Sequence, residues 1–114
     1  MKEFMMIFRN EQNDAPKPSP EQMQAMVKLW QDWIGGIAAQ NRLVSTDALG
    51  MEGKTVSKDA VVSDGPYVEV KEYISGYTIV KAENLEEAVK MSEGCPIFLH
   101  NGTVEVRDVM VFDM

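Results

Sequence analysis

The chain has 114 residues, 45% of them hydrophobic and 25% charged, with a formal net charge of −7. That length suits one domain with a modest core, and the composition is that of a folded chain rather than a disordered or fibrous one. The 11 Lys and Arg residues are scattered among 18 Asp and Glu, which argues against binding nucleic acid or an anionic membrane surface, since both need a basic patch.

No apolar run approaches the roughly 20 residues of a membrane span, and the N-terminus lacks a signal-peptide apolar segment. Cys95 is the only cysteine, so no internal disulfide can form, and a reducing cytoplasm is the expected compartment. One Cys and one His do not support a structural zinc centre. No cofactor is expected.

Residues 2–9 (KEFMMIFR) predict a first strand whose centre, Phe4 to Phe8, is apolar on both faces. Residues 10–18 read as a polar loop. Ser19-Pro20-Glu21-Gln22 then starts a helix: a Ser cap, Pro at the first helical position and Gln three residues after the cap. Met23, Met26, Val27, Trp30, Ile34 and Ile37 recur at spacings of three and four and form one apolar stripe. Gly35-Gly36 weakens its last turns, for which close packing on a sheet is the expected reason. The helix is expected to end near Asn41, which tolerates a left-handed cap.

Residues 43–49 and 54–63 hold short strand candidates, with a turn at Ser57-Lys58-Asp59. The tripeptide Asp64-Gly65-Pro66 makes a further turn, and Tyr67 to Lys71 alternate beyond it. Gly76 to Lys81 predicts a strand, and Asn84 caps a second helix, with Glu87 completing a capping box. Gly94-Cys95-Pro96 stops that helix, and residues 103–112 predict a last strand.

This order predicts an α+β, ferredoxin-like domain: an antiparallel sheet with two helices on one face. Two helices cover one face only, whereas Phe4–Phe8 and Val109–Phe112 are apolar on both. A second copy of the sheet is the simplest cover, which predicts a homodimer joined through the sheet faces.

Asp64-Gly65-Pro66, Glu69, Lys71-Glu72, Gly76-Tyr77, Cys95-Pro96 and Glu105-Val106-Arg107 together resemble the DGPF-domain branch of the YCII-related family. The resemblance implies a dimeric α/β barrel, bacterial origin and, through kinship with a chloromuconolactone dehalogenase, small organic ligands. Some relatives are encoded beside extracytoplasmic-function sigma factors. The chain departs from the branch at Tyr67 in place of Phe, at Ser75 before Gly76, and at Asp108 after Arg107. Some relatives carry a His–Asp pair proposed as catalytic, with the His in the N-terminal half. Here the only His is His100, so that mechanism is not carried over.

Alternation puts Tyr67, Glu69 and Lys71 on one strand face, and Glu105 and Arg107 on one face of the last strand. These charges either pair with one another and with Glu72 or line a polar pocket, in which Arg107 would clamp a carboxylate. Asp64 is either the turn that presents the segment or a base at a pocket mouth. The catalytic candidates are therefore Asp64, Tyr67, Glu69 and Glu105; the ligand-binding candidates are Lys71, Glu72, Tyr77 and Arg107. His100 reads as a loop residue and Cys95 as a buried small hydrophobe. The methionines Met5, Met6, Met23, Met26 and Met110 suit core and dimer packing, or an adaptable apolar pocket.

Two functions fit. The first is a small-molecule-binding protein or cofactor-free acid–base enzyme, with a pocket between sheet and helices. The second is a non-catalytic module that partners a sigma factor.

Overall fold

Residues Phe4, Met6 and Phe8 point to one side of the first strand and are almost completely buried, whereas Met5 and Ile7 between them are half-buried. That asymmetry organises the molecule. The computed structural model describes residues 1–11, 16–63 and 72–112. In chain order the elements are β1 (Lys2–Glu11), α1 (Pro20–Ala39), β2 (Leu43–Ala48), β3 (Thr55–Val56), β4 (Val61–Ser63), β5 (Glu72–Ala82), α2 (Leu85–Ser92), a 3-10 turn (Pro96–His100) and β6 (Thr103–Asp108).

Four strands form an open antiparallel sheet in the order β2-β5-β1-β6. The strand that precedes each helix is central and the strand that follows it lies at an edge, which is the interleaved ferredoxin-like arrangement. β3 and β4 pair separately as a small hairpin, turned at Ser57, whose N–H and hydroxyl both donate to the Ala60 carbonyl.

Both helices cover the Phe4–Met6–Phe8 side. Ile37 of α1 and Ala88 of α2 join Val80, Ala82 and Ile97 in the core, and each large side chain buried there stabilises the fold by about 1.5–3 kcal/mol. Phe8, Trp30 and Trp33 make three mutual edge-to-face contacts, with centroids 5.1–5.9 Å apart. The Trp33 indole N–H donates to the Met91 carbonyl at 3.1 Å, which ties α1 to α2. Thr78, fully buried, shares a 2.8 Å hydrogen bond with the Thr46 hydroxyl, so its polar atom is satisfied.

The capping box at Ser19 forms as expected: the Ser19 hydroxyl accepts from the Gln22 N–H, and the Gln22 side chain accepts from the Ser19 N–H. Asn41 ends α1 in the left-handed conformation, with φ 61°. The box at α2 is different. Asn84 accepts from the Glu87 N–H at 2.9 Å, but the Glu87 carboxylate takes the Glu83 N–H instead of that of Asn84. The Arg42 guanidinium, ion-paired with Glu87, holds it there.

Two further expectations do not hold. The last strand stops at Asp108, not at residue 112. Asp108 lies opposite Phe4 and the Val109 N–H donates to the Glu3 carbonyl; β1 begins at Lys2, so its partner residues run out within two positions. Met110, Val111 and Phe112 leave the sheet and are exposed, and their apolarity does not represent two strand faces. Gly35 and Gly36, moreover, would have nothing within 4 Å of an added Cβ, so close packing on the sheet is not their reason.

Candidate functional site: a cleft under the first half of α1

The apolar stripe of α1 is not uniformly seated. Ile37 is buried and Trp30 and Trp33 pack against the core, but Met23 and Val27 in the first two turns are nearly half exposed. The helix therefore overhangs the sheet at its N-terminal end and leaves a cleft of about 520 Å³. The helix side of the cleft is Met23, Met26, Val27, Trp30, Gln31 and Ile34. Its floor is Phe8 of β1, Thr46 to Ala48 of β2, and Gly76 of β5. Ile97 and His100, from the 3-10 turn, close one end.

A bulge shapes the polar corner of this cleft. Phe8 pairs with Gly76 but Arg9 pairs with Ile74, so Ser75 is the extra residue on β5. A bulged residue leaves the regular alternation and its side chain is re-aimed. The Ser75 hydroxyl bonds the Asn10 side-chain oxygen, and both residues line the cleft. At Gly76 an added Cβ would lie 2.7 Å from the Asp47 carbonyl oxygen, so glycine is what lets β2 approach β5 here.

Those residues predicted as a site that the structure describes lie elsewhere. Tyr77, Glu105 and Arg107 fall on the opposite face of the sheet, in register with Asp47, Ile7 and Met5 respectively. The Tyr77 hydroxyl donates to Asp47 at 2.7 Å, and this bond to a carboxylate holds the phenol's pKa above its ordinary value. Glu105 pairs with Arg9 of β1 at 2.5 Å and only distantly with Arg107, at 3.8 Å. The Arg9 partnership was not foreseen, because its two residues lie 96 positions apart. Arg107 is largely exposed and borders a separate shallow recess with Lys2, Glu83, Asn84 and Asp108. Glu72 is exposed and stands opposite Glu11 at the end of the β1–β5 ladder. Asp64, Tyr67, Glu69 and Lys71 lie outside the described residues, as does the turn at Asp64-Gly65-Pro66.

Cys95 is buried, and burial pushes its thiol up to about 11, a poor setting for a nucleophile. Among the described residues no group of three or more His, Cys, Asp or Glu is arranged to hold a metal ion. No helix among them is long and apolar enough to cross a membrane. Of the cleft residues, the helix stripe is legible in the sequence, where His100 reads as a loop residue. Asn10 and Ser75 were missed; the one available signal was Ser75-Gly76, where a strand pattern admits a bulge.

An open four-stranded antiparallel sheet, two helices on one side and a lateral apolar cleft define a small ferredoxin-like α+β domain. Its lineage is given by a family model: the YCII-related domain matches residues 3–113, and the chain belongs to the YCII-related family. No curated protein matches the chain.

Proposed function

We propose that this protein binds a small, largely apolar organic molecule in the cleft between α1 and the sheet. The observation that carries the reading is the half-exposed stripe of Met23 and Val27, held above a floor that includes buried Phe8. Apolar side chains left uncovered over a concave surface favour occupancy by an apolar molecule, because water gains nothing by staying there. Methionine suits such a wall, since its flexible thioether adapts to different shapes.

The residues that resemble the DGPF-domain branch support assignment to that branch, and the resemblance supports a homodimer. The sheet face away from the helices offers Met5, Ile7 and Ile79, all half-buried and flanked by the Arg9–Glu105 pair. A second copy laid on this face would cover them. Ile79→Glu should then turn a dimer by light scattering into a monomer; a wild-type monomer at micromolar concentration would refute this assembly.

The test of the cleft uses protein labelled with 13C at its methionine methyl groups. Small apolar ring compounds should shift Met23 and Met26 and leave Met110, which lies outside the cleft, unmoved. Val27→Glu, at an exposed position of the cleft wall, should abolish the shifts without lowering the unfolding temperature by more than a few degrees. An unresponsive Met23 and Met26 would overturn the reading.

A further inference from the structure

We infer that the cleft takes neutral, ring-bearing molecules whose polar group is a hydrogen-bonding oxygen, and that it discriminates against carboxylates. The inference rests on the cleft being a ligand site and deepens that reading by naming the chemical class.

The argument is one of charge and of its absence. His100 and Asp47 are the only ionisable side chains among the described lining residues, and the Asp47 carboxylate is turned to Tyr77 on the other face of the sheet. Among the described residues no Lys or Arg lines the cleft. Arg9 is held by Glu105, Arg42 by Glu87, and Lys28 by Asp32 on the outer side of α1. Arg107, the carboxylate clamp expected from sequence, borders the other recess. A carboxylate entering the cleft would give up water without meeting a fixed cation from the described residues, and an unpaired charge is costly to desolvate. The chain's net charge of −7 adds a repulsive field rather than a steering one.

What the cleft does offer is aromatic and polarisable surface beside a neutral polar corner. Trp30 and Phe8 meet edge to face at 5.1 Å, and Met23 and Met26 stand on the same wall. Rings favour such surroundings because edge-to-face and sulfur–aromatic contacts add to simple burial. Gln31, Asn10, Ser75 and His100 supply amide, hydroxyl and imidazole groups, which match a carbonyl or hydroxyl oxygen.

The experiment compares two near-isosteric probes, acetylnaphthalene and naphthoate, on the methionine-labelled full chain at pH 8. Acetylnaphthalene should shift Met23 and Met26, with a dissociation constant at least tenfold below that of naphthoate. Naphthoate binding as tightly or more tightly would overturn the charge inference while leaving the cleft as a ligand site. If neither probe moves Met23 or Met26, both readings fall.

Discussion

Replacing Gly102 by alanine should strain the joint that carries the end wall of the cleft. Gly102 is buried between the 3-10 turn and β1. An added Cβ would lie 2.3 Å from Ile97 Cγ1 and 2.8 Å from the Arg9 carbonyl oxygen. Neither neighbour can yield easily. Ile97 is only 2% exposed, and Arg9 belongs to a central strand bonded on both sides. Overpacking of this kind costs about 1–3 kcal/mol, and two immovable contacts put the expected loss near ~3 kcal/mol. Ile97→Ala alone should cost about 2–5 kcal/mol through its cavity. In the double variant the cavity admits the new methyl group, so the combined loss should fall short of the sum by about 1 kcal/mol or more. Urea unfolding followed by tryptophan fluorescence measures all three. A loss below about 0.5 kcal/mol for Gly102→Ala, or strict additivity of the pair, would refute the packing argument.

The folded Cys95 thiol, raised from 9.0 to about 11, predicts two behaviours. At pH 8 it should resist thiol reagents until the protein unfolds. Between pH 9 and 11 the unfolded chain has lost this proton and the folded chain has not, so stability should fall as pH rises, by about 1.4 kcal/mol per unit from this group. Cys95→Ala should flatten that part of the profile; an unchanged slope would show that the thiol is not the cause. Asn84→Ala should cost about 1 kcal/mol through loss of the α2 cap, read as a lower urea midpoint. Glu105→Gln, which weakens a partly exposed pair with Arg9, should cost no more than about 1 kcal/mol, and less at high salt. A larger and salt-independent loss would show that the pair is more deeply shielded than one chain accounts for.

Much of the architecture could be read from short-range chemistry. The Ser19 cap, the left-handed Asn41 and the stripe of α1 are local patterns, and each appears where its residue types demand. The cleft was less legible, since a stripe at helical spacing says which face is apolar and not how far along its length the sheet will reach. The pairing of the charged residues was hard to read for a related reason. Glu105 and Arg107 share a face by alternation, as expected, but their partners depend on strand register, and register brought Arg9 to Glu105. The Ser75 bulge reverses which face the residues beyond it occupy, and simple alternation carries no warning of it. The stop at Asp108 likewise depends on where β1 begins.

The central position of β1 also bears on how the chain comes together in time. This strand precedes both of its neighbours, β5 and β6, by a long stretch of chain: Asn10 meets Ser75 across 65 positions and Arg9 meets Glu105 across 96. Closing such long loops is slow. On the ribosome, Phe4, Met6 and Phe8 must wait without strand partners until β5 has emerged. The most hydrophobic strand of the sheet is thus the longest exposed to aggregation during synthesis, and it is there that a chaperone would have most to protect.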